Sequence, residues 1–529
     1  MKRRSFISFL GKGAVSTALL PPFIQACQAP QDQVQELIQK TIQGIKPSTV
    51  DDLVLAEGLQ SRTLLRFGDA ISEKDTFGFN CDYTAFIPEG PDEGLLWVNH
   101  EYPNPLFVSG HTGGEKTKEE VDKEMYSVGG SFVEMRKEDG RWNPIQSEKN
   151  MRLTGHTIIP FNWPHPIAGK KEAMGTFQNC SGGVTPWRTI LTCEENYHQC
   201  YGECMRGSAQ IDEGRGTYGW NSFYDNRPEH YGWVVEVDPQ TGDAQKHVAL
   251  GRFSHECATI IELEDGRVVV YSGDDKNDEH LYKFISSVPG SLKEGTLYVA
   301  DLEKGAWLSL DIEEQAVLKK NFTDQTEVLI YCREASKLLG ATPLDRPEDI
   351  EIDPVTGHVL VACTNNKPKK NFHGQIMKFM EKDGRYDALE FESEMFLTGG
   401  EETGFSCPDN LAFDQAGNLW FTVDVSGSAM NYGVYEPFGN NGLFMVPRSG
   451  PQEGEVIQMA SAPNDAELTG PFFSPDGKTL FLSVQHPGET SVSLEKLTSH
   501  WPDGGDSIPL PSVVAIEGPL LEQINQVES

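Results

Sequence analysis

The sequence predicts an all-β fold, a six-bladed β-propeller with insertions between its blades. Three observations predict it. A short apolar strand with a polar end recurs six times: Gly94–Glu101, Arg188–Glu195, Arg267–Asp275, His358–Asn366, Asn418–Asp424 and Thr479–His486. Turns of one kind precede the later copies, at Asp353-Pro-Val-Thr-Gly357, Asp414-Gln-Ala-Gly417 and Ser474-Pro-Asp-Gly477. The last three strands begin about 60 residues apart, the earlier ones about 80 to 95. A strand repeated in fixed order with insertions of varying length is how a propeller reads. The 52 Gly and 32 Pro among 529 residues suit many short strands and turns better than long helices. The apolar runs scarcely alternate, which fits strands covered on both faces by adjacent blades. A β-sandwich with coincidental turns is the competing fold.

The elements follow in chain order. Residues 1–27 read as a targeting segment. Lys2-Arg3-Arg4-Ser5-Phe6-Ile7 sets twin arginines before an aromatic and an aliphatic residue, and a modestly apolar stretch, Gly13 to Ala26, follows. This is the pattern of a twin-arginine export signal. Ile24-Gln25-Ala26-Cys27 is a loose lipobox with Cys27 as the acylation candidate; the alternative is an ordinary cleaved signal with an incidental cysteine. No other stretch approaches the about 18 apolar residues that span a bilayer. The expected location is the periplasm, free or tethered to the membrane surface by lipid. Residues 28–50 read as a linker with a weak helix from Gln33 to Ile42, and residues 51–529 as a single propeller domain.

Net charge is 44 − 79 = −35. That excludes a nucleic-acid partner, which needs basic patches to neutralise phosphates, and is compatible with divalent cations. Of the ten cysteines, nine remain after Cys27, an odd number, so at least one thiol is unpaired. Cys200-Tyr-Gly-Glu-Cys204 has the spacing of a local disulfide. Cys193, Cys257 and Cys363 sit in apolar strands, where a buried thiol is expected.

If each repeated strand lines the propeller axis, its polar end meets the others at one pole. Those ends carry His100 and Glu101, Glu194 and Glu195, Asp274 and Asp275, Asn365 and Asn366, Asp424, and Gln485 and His486. So many acceptors at one place repel one another unless cations bind. Cys180, in Asn179-Cys-Ser-Gly-Gly183, adds a thiol that suits a transition metal better than calcium; by spacing alone a structural cysteine is the slightly better reading. Glu194 and Glu195 are adjacent, so on a strand they face opposite ways and only one reaches a common site. His255, in Ser254-His-Glu256, reads as a ligand, an outer donor or a core residue. Arg346, in Arg346-Pro-Glu348-Asp349, is a candidate for bidentate phosphate binding, with Glu348 on the same turn; the alternative is a salt-bridged surface loop. Cys407-Pro-Asp409-Asn410 and Glu467-Leu-Thr-Gly-Pro471 repeat the logic.

Taken in this order, the segments resemble the PhoX-type alkaline phosphatases. The resemblance rests on the twin-arginine leader, Asn179–Gly183, Thr192–Asn196, Gly251–Glu256, Arg346–Glu348, Pro408–Asp414, Glu467–Pro471 and Ser474–Gly488, and spans residues 60 to 490. It implies a six-bladed propeller that releases phosphate from small-molecule phosphomonoesters at a centre of two ferric and three calcium ions. By the same resemblance Cys180, Glu256 and Glu348 hold iron. Glu194 or Glu195, Asp409 and Glu467 lie on the calcium side, and Arg346 holds the phosphate. Two other functions compete: a calcium-dependent lactonase or gluconolactonase-like propeller, and a propeller that binds a ligand without catalysis. A lone calcium site has no need of Cys180 or Arg346.

Overall fold

The computed structural model describes residues 41–208, 210–212 and 217–525. The expected export signal, Cys27 and most of the expected helix at 33–42 lie outside them. Six antiparallel sheets follow one another along the chain as the blades of a propeller. The first contains Cys81–Pro88, Glu93–His100, Gly129–Glu138 and Arg141–Ile145; the second, Asn179–Val184, Ile190–Glu194, Val234–Val237 and Ala244–His247. The third runs from Thr259–Glu262 through Val268–Gly273, Leu281–Ser286 and Gly295–Asp301 to Ala306–Ser309. The fourth is Pro347–Ile352, Val359–Cys363, Gln375–Glu381 and Phe391–Thr398, and the fifth Pro408–Phe413, Leu419–Val423, Gly442–Val446 and Ile457–Ser461. The sixth is made from both ends of the described chain. Glu467–Phe473, Leu480–Gln485 and Ser512–Glu517 accept Gln60–Arg66 as their outermost strand.

The apolar strands of the sequence repeat are each the second strand of their blade, not the innermost. The reason is burial on two faces. Val359–Cys363 and Leu419–Val423 are buried at every position. Leu360 and Ala362 pack with Leu411, Leu419 and Phe421 of the next blade, while Val359 and Val361 pack with Val269 and Tyr271 of the blade before. Each such side chain contributes roughly 1.5–3 kcal/mol on burial. The innermost strands border the axis and carry polar residues instead, which is why they read as loops.

Those inner strands share a construction that positions the site. Cys81 faces His100 and Thr84 faces Val98, three residues against two, so one extra residue bulges from the inner strand. The same excess occurs between Asn179 and Gly182, Pro347 and Ile350, Pro408 and Leu411, and Thr469 and Phe472. In the third blade His255 faces Asp274 and Thr259 faces Tyr271, four against three. Just ahead stands a left-handed residue in five blades: Asn80, Gln178, Arg346, Cys407 and Asp465, with φ of 53°, 56°, 56°, 58° and 61°. Each lies two residues before Asp82, Cys180, Glu348, Asp409 or Glu467. For residues other than glycine this conformation costs about 1–3 kcal/mol, and strain of that kind, repeated around one pole, marks where the chain is bent to aim side chains at the axis. Near the axis blades six and one nearly touch: a Cβ on Gly470 (φ +58°) would stand 2.5 Å from the Thr84 nitrogen.

Insertions widen the pole. One follows the second strand of the first blade and contains the helix Lys118–Ser127, capped by Thr117 and Glu120 in reciprocal hydrogen bonds. Another follows Ile190–Glu194. The two pack together through Val121, Met125, Tyr197, Tyr201, Tyr218 and Trp220. Helices Ala316–Asn321, Gln325–Ile330 and Cys332–Leu339 lie between the third and fourth blades. No helix among the described residues is long and apolar enough to cross a membrane.

The nine described cysteines are free thiols, so Cys200 and Cys204 are not bridged. Cys200 points into the aromatic cluster with Tyr201 and Trp220, and Cys204 lies 3.3 Å from an Arg227 nitrogen. Cys193, Cys257 and Cys363 are fully buried as expected. The end of the segment expected as a linker runs against the fifth blade, where Ile45 N–H donates to the Gln458 carbonyl and Asn440 N–H to that of Ser48.

Candidate active site

The bulged ends of the inner strands and the polar ends of the second strands open into one cavity of about 330 Å³. Ten carboxylates line it against one arginine and one histidine, so internal ion pairing cannot neutralise it. Inner strands and the turns before them bring Asp82, Cys180, Glu256, Glu348, Asp409 and Glu467, one from each blade. The last residues of second strands and those just after them bring Glu101, Glu195, Asp275, Asp424, Gln485 and His486.

Donor atoms gather in three groups whose members lie within 4.8 Å of one another: Glu101, Cys180 and Glu195; Glu195, Glu256 and Asp275; Glu256, Glu348 and Asp409. Glu195 and Glu256 each belong to two groups. Through these two shared carboxylates the three groups adjoin one another as one continuous donor cluster that could hold metal ions. The Cys180 thiol stands 3.1 Å from Glu256 Oε1.

Burial, reinforced by neighbouring carboxylates, pushes Glu101, Glu195, Glu256, Glu348 and Glu467 well above the carboxylate range. Burial likewise pushes Asp409 well up and Asp82 up to about 7, although Thr469 hydrogen-bonds to it. The Cys180 thiol is raised by burial and then by Asp82 and Glu256. Burial opposes the charge of Arg346, but Asp275 and Glu348 beside it more than offset that. Arg346 reaches Asp275 Oδ2 at 2.5 Å and Glu348 Oε1 at 3.2 Å. These are groups that hold protons unless multivalent cations replace them, and the oxygen-rich set with one sulfur fits such cations.

A pH effect follows. Carboxyls whose folded values are raised keep protons that the unfolded chain releases above about pH 4, so their contribution to stability falls as pH rises. For Asp82 the fall runs from about 4 to about 7. Protein stripped by a chelator is therefore expected to melt at lower temperature at about pH 8 than at about pH 5, and added divalent cation should close the gap. A chelated protein whose melting temperature rises over that interval would contradict this account.

Of the residues singled out in the sequence, Arg346, Cys180, Glu256, Glu348, Glu195, Asp409 and Glu467 all line the cavity. Glu194 does not. It is fully buried on the opposite side of its strand, where Oε1 meets Lys246 Nζ at 2.5 Å and Oε2 accepts from the Gly232 and Trp233 amides. His255 belongs to the core, stacked on Phe253 and bonded to Ser272 and the Gly251 carbonyl. Asp274 pairs with Arg333, His100 turns toward Ser131, and Asn366 binds Asp278 and Asp345. Asp82 and Glu489 escaped the sequence reading. Asp82 follows Asn80 as Glu348 follows Arg346, and aligning the inner strands would have exposed it.

A family profile described as Alkaline phosphatase PhoX matches residues 41–488. Among solved structures, Pseudomonas fluorescens PhoX in complex with vanadate, a transition state analogue, is similar at 30% identity with a TM-score of 0.80, covering 91% of this chain and 98% of that one. A protein of unknown function from Dyadobacter fermentans shows 10% identity and a TM-score of 0.43, covering 87% and 100%. A gluconolactonase of Xanthomonas campestris shows 12% and 0.30, covering 84% and 97%. No curated protein matches the chain.

Proposed function

The chain belongs to the PhoX alkaline phosphatase family and is a phosphatase, and from that premise we propose that its cavity hydrolyses small-molecule phosphomonoesters at a centre of several multivalent cations. The observation that carries the proposal is the chain of three donor groups sharing Glu195 and Glu256 beside Arg346. In this reading Cys180, Glu256 and Glu348 hold iron. Glu195, Asp409 and Glu467 serve calcium, as the resemblance implies for two ferric and three calcium ions. When bound, such cations neutralise the charge of the phosphoryl oxygens and activate a nucleophile.

The residues of the chain supply the rest. Arg346 has five N–H donors, and among the described residues only its Nη2 is engaged, by Asp275 and Glu348. The remaining donors are free to grip two phosphoryl oxygens in a fixed plane, and they stay so oriented because two carboxylates anchor the guanidinium. Gln485 donates to Glu101 at 2.6 Å and Asn196 to Glu195 at 2.7 Å, which holds the orientation of two carboxylates that would bind cations. Burial of the cluster removes competing water and strengthens each contact. The Gln485 and Asn196 hydrogen bonds act on the ligands rather than on the substrate.

Cys180→Ala is expected to lose iron and phosphomonoester hydrolysis together, read by elemental analysis and by release of inorganic phosphate. A variant that keeps both would make Cys180 a packing residue only. The twin-arginine leader adds to the reading that the enzyme works outside the cytoplasm, with Cys27 as an anchor point; cell fractionation checks it.

A further inference from the structure

The outer half of the cavity has different chemistry from the inner cluster. Tyr102, Gln199, Tyr218 and Glu489 wall it. Tyr102 and Tyr218 come from the insertions of the first two blades, and Glu489 from the segment after the second strand of the sixth. The Tyr102 hydroxyl donates to Glu489 Oε1 at 2.7 Å, and burial together with Glu489 keeps that phenol protonated. The Tyr102 ring lies nearly parallel to the imidazole of His486, 6.2 Å between centroids.

Glu489 Oε2 is left without a hydrogen-bond donor among the described residues. The nearest ring nitrogen, His486 Nδ1, stands 3.8 Å away and is bonded at 2.9 Å to the Asp465 carbonyl. Gly427 faces that oxygen, and a Cβ there would come within 3.3 Å of it, so the glycine keeps the space before Oε2 open. Among the described residues no lysine lines the cavity, and its one arginine is Arg346. Lys116 sits behind Tyr218, 5.8 Å from its ring centroid, bonded to Glu124 at 2.6 Å and to the Tyr218 carbonyl. Arg346 is held deeper by Asp275 and Glu348.

We propose that Tyr102, Tyr218 and Glu489 form a leaving-group subsite that selects phosphomonoesters of amino alcohols, with the alkylammonium head against Glu489 Oε2 and the two phenol rings. The proposal rests on the phosphatase reading of the same cavity. A phosphoryl group among the cations and Arg346 leaves its alcohol portion in the outer half, where Glu489 holds the Tyr102 hydroxyl and the Tyr218 phenol lines the same wall. That is the combination that attracts an alkylammonium.

The test compares phosphocholine with its uncharged carbon analogue, in which a tert-butyl group replaces the quaternary ammonium, using the cation-loaded enzyme. The wild type is expected to favour phosphocholine about tenfold in kcat/KM, and Glu489→Gln to bring the ratio close to one. The ratio cancels any general loss of activity in the variant. A wild-type ratio near one, or a ratio that Glu489→Gln leaves untouched, overturns the subsite while the phosphatase reading stands. Hydrolysis of neither ester, nor of a generic aryl phosphate, overturns both.

Discussion

Replacing Arg346 with glutamine is expected to lower kcat/KM for a generic phosphomonoester by about 10²–10³, the usual loss when one preorganised donor to a developing oxyanion is removed. Arg346→Lys should recover only part of it, because an ammonium is a point charge that cannot bind two oxygens in one plane. The prediction is specific because, among the described residues, Arg346 is the only arginine lining the cavity and because Asp275 and Glu348 already orient it. Its left-handed backbone, φ 56°, is no easier for lysine or glutamine, so backbone strain is alike in all three proteins and drops out of the comparison. Steady-state kinetics and bound-cation content should be measured together. A fall in kcat/KM with cation content preserved places the loss on the substrate. A change below about threefold would remove Arg346 from any role in transition-state binding.

The second large effect is on stability. Lys246 and Glu194 form an ion pair with both side chains fully buried. Burial lowers the Lys246 ammonium and raises the Glu194 carboxyl, and each partner offsets part of the other's shift. Lys246 also donates to the His230 carbonyl at 3.0 Å and lies 4.6 Å from the Tyr231 ring centroid. Lys246→Met should therefore destabilise the protein by about 3–5 kcal/mol, since it strands a buried carboxylate. Lys246→Met combined with Glu194→Leu should recover much of that, because replacing both members by apolar groups is often close to neutral. Denaturant or thermal melts would decide it. If the single and double variants lose the same amount, the cost lies in packing rather than in an uncompensated charge.

The Glu194 case shows where sequence reasoning stops. Strand alternation places Glu194 and Glu195 on opposite sides, and the residues alone establish that one of the two faces away from the site. They do not say which, because the deciding partner, Lys246, stands on the fourth strand of the same blade, some fifty residues on. Blade number was legible for a physical reason: second strands such as Val359–Cys363 are covered on both faces and stay apolar throughout. Their neighbours nearest the axis, such as Asn179–Val184 and Pro347–Ile352, line a polar channel and carry no apolar period. The strands that aim most of the site therefore read as turns, and the apolar strands beside them were taken for the innermost. The outer wall was illegible for another reason. Tyr102, Tyr218 and Glu489 sit in insertions whose paths depend on packing against each other.

The sixth blade is completed by Gln60–Arg66 pairing with Ser512–Glu517, residues more than four hundred positions apart. Until the late strands are made, the early one has nothing to pair with, and Asp82 of the first blade cannot be held opposite Glu467 of the last. A ribosome-bound chain lacking its final segment thus holds all of the donors that line the cavity and none of their closed arrangement. Closure of the donor ring therefore waits on the last strand, and a chain cut short before residue 512 should be inert however much of the pole it retains. Folding dominated by so distant a contact is slow.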